Sequence, residues 1–274
     1  MFSLPQGTPS LPLQERMQKA CEKLKSFSSA LVALSGGVDS AVVLKLAVEA
    51  LGADKVVAAT ARSVFFTQEE MESAQEVVSQ LGVRHCWLEM HPLEDADVAQ
   101  NNVERCYFCK RRLVAALREL KTQWALDVVL DGSHAEDALD FRPGRRALEE
   151  GKVYSVLAQA GFSKQEVRAC ALHLGLPNWN RPQAACLATR IPQGEALNVL
   201  SLERVARAEA ALRQLGFGAF RVRHHGDIAR LEIEQESFAR LLDAEFRTQC
   251  IRALQEAGYR WATVDLRRLH ARDS

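Results

Sequence analysis

Apolar positions along the chain recur in two periods, and the switches between them mark out the elements. Between residues 13 and 27, Met17, Ala20, Cys21 and Leu24 fall on one face of a helix. Residues 30–34, ALVAL, form a continuous apolar run that stops at Ser35-Gly36-Gly37, which predicts a buried strand entering a tight turn. Helical spacing returns over 40–51 and ends at Gly52. The cycle repeats with a strand over 55–60, a helix over 69–81 closed by Gly82 and a strand over 84–89. A helix over 106–120 and a fourth strand over 127–131, ending at Gly132, follow. A further helix is expected over 165–174, with Ser163 and Glu166 spaced as a capping box and Gly175 as the stop.

Strands that are apolar throughout, alternating with helices, predict a parallel sheet covered on both faces, over about residues 1–180. The first dozen residues, rich in Pro, Ser and Gly, read as a lead-in. The pattern breaks at Pro177-Asn178-Trp179-Asn180-Arg181-Pro182, and residues 186–195, CLATRIPQGE, read as loop. Residues 181–274 then predict a smaller α+β module. It has a helix over 201–215, strands over 220–224 and 229–234 joined at Gly226-Asp227, mostly helix over 238–257 and a last strand over 261–266. There is no internal repeat and no low-complexity tract.

Composition narrows the class. The 274 residues allow one large domain or two modest ones. Hydrophobic residues at 47% and charged residues at 26% exclude wholesale disorder, a collagen repeat and a coiled coil. The 35 basic and 35 acidic side chains cancel, which disfavours nucleic acid as the main partner while leaving room for a local patch. The apolar runs are far shorter than the ~20 residues of a membrane-crossing helix. The opening MFSLPQGTPSLPLQERM has no basic region followed by an apolar block, so no secretory signal is expected. Seven cysteines, an odd number, then favour a reducing, cytoplasmic setting over a disulfide framework.

The first candidate for chemistry is Ser35-Gly36-Gly37-Val38-Asp39-Ser40, between a strand and a helix. The glycines permit backbone angles that let main-chain N–H groups converge on an anion. The helix N-terminus adds partial positive charge. Ser35 and Ser40 offer hydroxyls, and Asp39 a carboxylate for a metal ion that accompanies phosphates. The loop lacks the Lys-Ser/Thr ending of a loop that grips a γ-phosphate. It suits pyrophosphate, with ATP cut between its α- and β-phosphates and AMP handed to an acceptor. The plainer alternative is a glycine turn feeding a helix.

The second candidate is the cysteine set. Arg105-Cys106-Tyr107-Phe108-Cys109-Lys110 contains a CxxC pair, open to redox, zinc or iron–sulfur readings. No second CxxC exists to complete a four-cysteine zinc site. The pair can instead join Cys186 on a cubane cluster, leaving one iron without a protein ligand and able to hold an exogenous sulfide. Two small apolar residues one helical turn apart is the plain alternative. Cys186 stands near Arg190, and positive charge favours the thiolate. Cys21, Cys86, Cys170 and Cys250 fall within regular apolar patterns and read as packing residues.

The glycine loop resembles that of the pyrophosphatase-loop (PP-loop) ATPase superfamily, which includes NAD synthetase, GMP synthetase, asparagine synthetase and several RNA thiolases. Five segments together are more specific: ALSGGVDSAVV at 33–43, RCYFCK at 105–110, DGSHAEDALDFRPG at 131–144, ACLATRIPQGE at 185–195 and RVRHHGDIARLEI at 221–233. In this order and spacing, over about residues 12–268, the chain resembles the LarE family, ATP-dependent sulfur transferases of nickel-pincer cofactor synthesis.

The resemblance implies an α/β fold: a parallel, doubly wound PP-loop sheet domain of the adenine nucleotide alpha hydrolase kind, then a smaller α+β domain. It implies that ATP with Mg²⁺ adenylylates a carboxylate of pyridinium biscarboxylic acid mononucleotide. Pyrophosphate leaves, and a sulfur nucleophile displaces AMP to give a thiocarboxylate. It assigns Ser35, Gly36, Gly37, Asp39 and Ser40 to the pyrophosphate loop, with Ser63 and Gly132 about the nucleotide. Arg221 and Arg223 fall to the substrate phosphate; strand alternation puts both on one face and Arg forks suit phosphate. Glu209 and Glu232 fall to a divalent ion near the reactive cysteine. A solvated face is the plain alternative for these charged residues.

The family divides by sulfur source. In one branch the cysteine at position 186 gives up its own sulfur and the CxxC is missing. In the other, cysteines at 106, 109 and 186 hold a 4Fe-4S cluster that delivers an extra sulfide. Possession of all three implies the second branch. The chain departs from the family pattern at Ser133-His134, at Phe65-Phe66-Thr67 and in Asn198-Val199-Leu200. The readings held against this one are a PP-loop tRNA thiolase with a cluster, single-use sulfur transfer from Cys186, and a nucleotide sensor without turnover. The expected partner is a small-molecule substrate, in a homo-oligomer; the sulfide donor is not legible.

Overall fold

The computed structural model describes residues 11–138, 143–182 and 185–267. The expected lead-in over residues 1–10, and residues 139–142 of the DGSHAEDALDFRPG segment, lie outside these. Two compact units are present. The first comprises the described residues of 1–63, 68–90 and 104–183, and the second those of 64–67, 91–103 and 184–274. The break near 183 falls beside the boundary expected at 180. The second unit also takes two short segments from within the first part of the chain.

In the first unit, α1 (Leu11–Leu24) precedes β1 (Ala30–Ala33), α2 (Val38–Leu51), β2 (Val56–Arg62), α3 (Gln68–Leu81) and β3 (Arg84–Glu89). All the strand pairings are parallel and the order is β3-β2-β1-β4, with β4 at Val128–Leu130. The register sets Ala30 beside Val56 and Val128, at the centre of the sheet. Alternation then explains why the strands are apolar throughout. Ala30, Val32, Val56, Ala58, Val128 and Leu130 enter the core on one face. Leu31, Val57, Ala59 and Val129 enter a second core on the other, with Leu117 and Leu120. α2 is apolar nearly all round because it packs between the sheet and α1.

The short α4 (Ala96–Ala99) belongs to the second unit. The helix expected over 106–120 is α5 (Arg105–Gln123). Two short helices that the pattern did not signal, α6 (Pro143–Glu150) and α7 (Val156–Ala160), precede α8 (Lys164–His173). α8 begins at the expected capping box: Ser163 accepts from the Glu166 N–H, and Glu166 accepts from the Ser163 N–H at 2.8 Å.

The second unit contains α9 (Val199–Gln214), the antiparallel pair β5 (Phe220–His225) and β6 (Ile228–Ile233), and β7 (Trp261–Val264) parallel to β6. Gly226 turns the β5–β6 hairpin with φ 60°. Phe217, Val222, Leu231 and Tyr259 pack with Leu212 of α9. The stretch expected to be mostly helix over 238–257 holds two helices, α10 (Gln235–Arg240) and α11 (Ala244–Glu256). Asp243 separates them and caps the Phe246 N–H at 2.7 Å. The loop over 186–195 is held by residues from much earlier in the sequence. Buried Asn101 donates to the Pro192 and Glu195 carbonyls at 2.8 and 3.0 Å, and the Leu187 N–H reaches the Phe65 carbonyl at 3.0 Å.

The turn after β1 has little freedom. Gly36 has φ 77°, and a Cβ there would lie 2.1 Å from the Glu70 carbonyl oxygen. Gly52 has φ 92° but nothing within 4 Å of its Cβ position. Gly36→Ala is expected to destabilise the protein by at least ~2 kcal/mol, because it meets both backbone strain and a main-chain clash. Gly52→Ala carries the strain alone, about 1 kcal/mol. Urea unfolding of both variants measures the difference.

Candidate active site

The loop after β1 is built from its own side chains. The Ser40 hydroxyl accepts from the Ser35 N–H and donates to the Gly37 carbonyl, both at 3.1 Å. It also lies 3.2 Å from the Ser35 hydroxyl. The Gly36 carbonyl accepts from Ser73 Oγ at 2.8 Å and from Asn178 Nδ2 at 3.0 Å. With that carbonyl tied back, the turn keeps its shape without claiming the amides at the start of α2, and no side chain caps the helix at Gly37. The result is an N-terminus able to take an anion. Gly132 closes against it: a Cβ there would lie 2.8 Å from the Ser40 nitrogen. Ser35, Gly36, Gly37, Asp39, Ser40 and Gly132 therefore stand together. Ser63 follows β2 directly.

Asp39 sits in the first turn of α2. Its Oδ2 lies 2.5 Å from Lys164 Nζ, while Oδ1 is buried and has no hydrogen-bond partner among the described residues. Lys164 is the first residue of α8, set there by the Ser163–Glu166 box. Sequence reading found that cap but assigned Lys164 no role; 125 residues separate it from Asp39. Nearby, Asp131 accepts from the Ser133 and Ser155 hydroxyls, both at 2.5 Å. His134 is buried, with Nδ1 unpartnered among the described residues.

Cys106 and Cys109 occupy the first turns of α5, one turn apart. Cys106 is exposed and accepts from Arg105 at 3.5 Å; Cys109 is half-buried. Burial pushes the Cys109 thiol up, with Lys110 opposing that shift. All seven cysteines are free thiols. Among the described residues no group of three or more His, Cys, Asp or Glu side chains is gathered as a metal site.

In the second unit, Cys186 opens the short 3₁₀ turn Leu187–Arg190. Its carbonyl accepts from the Thr189 N–H at 2.9 Å and from Thr189 Oγ1 at 2.8 Å. Arg190 lies buried across Glu209 in a two-pronged pair, Nε to Oε1 at 2.7 Å and Nη2 to Oε2 at 3.2 Å. Arg223 donates to the Thr189 carbonyl at 2.6 Å. Glu232 Oε2 lies 2.8 Å from Arg223 Nη2 and 3.9 Å from Arg221 Nη1, as ion pairs without hydrogen-bond alignment. Thus Cys186, Glu209, Arg221, Arg223 and Glu232 are linked through Thr189 and Arg190.

A cavity of about 400 Å³ opens on this face, lined in part by Thr189, Arg223, His225, Arg230, Glu232 and Asp265. Arg221 is buried to 7% exposure and does not line it. Arg230 stands opposite Arg223 in the hairpin register and lies 3.2 Å from Glu232 Oε1, with a second ion pair to Asp265. Hydrogen bonds from Arg267, helped by the charge of Arg230, hold the Asp265 carboxyl down at about 2. Sequence reading missed Arg230 and Asp265. The two-residue turn at 226–227 was the available signal for Arg230, since it sets 223 against 230.

A family profile described as NAD synthase matches residues 13–122. The pyridinium-3,5-bisthiocarboxylic acid mononucleotide synthase of Lactiplantibacillus plantarum is 37% identical over 243 residues, covering 89% of this chain and 87% of that one. An uncharacterised protein of Synechocystis sp. is 35% identical over 93% of this chain and 94% of its own length. The NH(3)-dependent NAD(+) synthetase of Chlorobaculum tepidum is 40% identical over 160 residues, about half of each chain. Likeness of that extent to the synthase, across both units and with the glycine loop in place, means that the chain belongs to the LarE family, on a PP-loop α/β fold.

Proposed function

We propose that the protein is an ATP-dependent sulfur insertase that converts pyridinium biscarboxylic acid mononucleotide to its thiocarboxylate in nickel-pincer cofactor synthesis. The observation that carries this is the near full-length likeness to the L. plantarum synthase. In this reading the turn of residues 35–40 and the amides that open α2 receive the pyrophosphate of ATP. Ser63 and Gly132 border the nucleotide. Asp39, whose Oδ1 has no hydrogen-bond partner among the described residues, would hold a Mg²⁺ ion that accompanies the phosphates. Lys164, already on Asp39 Oδ2, supplies a second positive charge where pyrophosphate leaves.

The substrate carboxylate attacks the α-phosphorus, pyrophosphate departs, and the mixed anhydride awaits a sulfur nucleophile. Arg223, with Arg221 behind it, holds the substrate phosphate; the cavity of about 400 Å³ and its guanidinium lining support this. Cys106, Cys109 and Cys186 are assigned as the three protein ligands of a 4Fe-4S cluster. When bound, the cluster supplies a sulfide on the iron that lacks a protein ligand. The donor set supports the assignment at Cys106 and Cys109, two free thiols one turn apart beside Arg105 and Lys110. Glu209 and Glu232, the residues expected to hold a divalent ion near the cysteine, both face guanidinium groups.

Single-use transfer from Cys186 is the second reading. It is supported by the placement of Cys186 at the head of a 3₁₀ turn whose peptide groups are held by Thr189 and Arg190. The neutral charge balance speaks against a tRNA thiolase. The free thiols support a cytoplasmic setting. Among the described residues no helix is long and apolar enough to cross a membrane. A homo-oligomer completes the proposal; Trp261, 59% exposed on edge strand β7, supports self-association.

Asp39→Ala is expected to abolish carboxylate-dependent pyrophosphate release with the fold intact by circular dichroism; normal release would remove the loop from the reaction. Anaerobic reconstitution should give about four iron per chain, and Cys106→Ala should lose most of it. A colourless protein that forms thiocarboxylate while losing the mass of H₂S would select the single-use reading instead.

A further inference from the structure

Glu209 is 2% exposed, and both its oxygens are spoken for. Oε1 accepts from Arg190 Nε and from the Val222 N–H at 3.1 Å, and Oε2 accepts from Arg190 Nη2. Glu232 faces Arg221, Arg223 and Arg230. A divalent cation at either carboxylate would have to displace a guanidinium and then sit among the remaining ones. Expelling Arg190 would leave a buried charge without its partner, a strongly unfavourable outcome. These donors do not fit a cation site.

Arg190 has a third contact. Its Nη1 donates to the Ala185 carbonyl at 3.2 Å and to Thr189 Oγ1 at 2.9 Å. Thr189 Oγ1 donates in turn to the Cys186 carbonyl at 2.8 Å. A hydroxyl has one proton to give and accepts as well, so Arg190 fixes which way Thr189 points. The peptide groups on both sides of Cys186 are thereby pinned to one guanidinium, and that guanidinium is pinned to Glu209.

We propose that Glu209 is a positioning residue that acts through Arg190 and Thr189 to hold the Cys186 turn, and that it is not a ligand of a divalent ion. The role rests on Cys186 being the sulfur-handling residue of the proposed reaction, while the geometry and its test do not. Glu209→Gln keeps the volume and one acceptor but loses the charge-assisted fork. Thr189→Val breaks the relay at its last step without touching the buried pair, and Thr189→Ser restores the hydroxyl.

The test uses the full-length chain, free of iron and nucleotide, with two readouts besides turnover. Iodoacetamide labelling followed by peptide mass spectrometry gives the rate at Cys186, with exposed Cys106 as internal reference. Calorimetry with Mn²⁺ alone gives any divalent site. Glu209→Gln and Thr189→Val are each expected to raise the Cys186 rate about threefold or more relative to Cys106, through local opening of the turn. Thr189→Ser should match the parent, and Mn²⁺ binding should be the same in all four proteins. A Mn²⁺ site present in the parent and lost in Glu209→Gln overturns the proposal, as does an unchanged Cys186 rate in Thr189→Val. If Glu209→Gln fails to fold, the two Thr189 variants and the Mn²⁺ titration of the parent still decide it.

Discussion

The close approach of backbone to backbone around the turn after β1 is the constraint on which the first unit depends. That turn is held by its carbonyls and hydroxyls together with two of its own amides, the Ser35 N–H on Ser40 Oγ and the Gly37 N–H on Ser35 Oγ at 3.3 Å. Ser73 and Asn178 take the Gly36 carbonyl, and Ser40 spans the Ser35 N–H and the Gly37 carbonyl. No side chain caps α2 at Gly37, and the partial positive charge of the helix stands behind the amides that open it. Packing enforces the arrangement. Gly36 lies against the α3 backbone and Gly132 against that of α2, closer than a side chain allows. The two-faced core of the parallel sheet gives these backbones their rigidity, since β1 and its neighbours are buried on both sides.

The second unit meets a different constraint, the crowding of like charge. Arg221, Arg223 and Arg230 lie within ion-pair distance of one carboxylate, and Arg223 opposes Arg230 directly across the β5–β6 hairpin. Opposed like charges on a sheet are unfavourable. Glu232 between them and Asp265 beyond offset the repulsion; hydrogen bonds from Arg267, with the charge of Arg230 adding to them, keep Asp265 ionised down to about 2. The same exchange appears at Arg190 and Glu209, both buried. Paired carboxylates are the means by which these guanidinium groups stay ordered beside one another, because each pair fixes direction as well as charge.

What the sequence disclosed follows the range of the interactions. The sheet strands, α2, α3 and the cap of α8 are local patterns, and each was legible. The glycine loop was legible because its chemistry sits in six consecutive residues. The break between α10 and α11 was not, since helical spacing runs through it and only the Asp243 cap marks it. The ordering of residues 186–195 was hidden because its partners, Asn101 and Phe65, lie about a hundred residues away. Lys164 was hidden in the same way from Asp39. Arg230 was within reach: a two-residue turn at Gly226-Asp227 fixes every cross-strand pair, and applying that register to Arg223 finds it.

The cysteines show how burial separates packing from chemistry where sequence offers only position. Cys170 is fully buried, and its thiol is pushed up to about 12 by desolvation, with Glu49 adding to the shift. Cys21 and Cys250 are raised for the same leading reason. A thiol held that far from ionisation is a small apolar side chain at neutral pH. Cys106 differs in kind, being exposed and hydrogen-bonded by Arg105. Cys109 stands between, raised by burial but opposed by Lys110 and Arg105. What sets this pair apart from the packing thiols is therefore its surroundings: one thiol open to solvent and both beside cationic side chains, where the packing thiols lie among apolar ones.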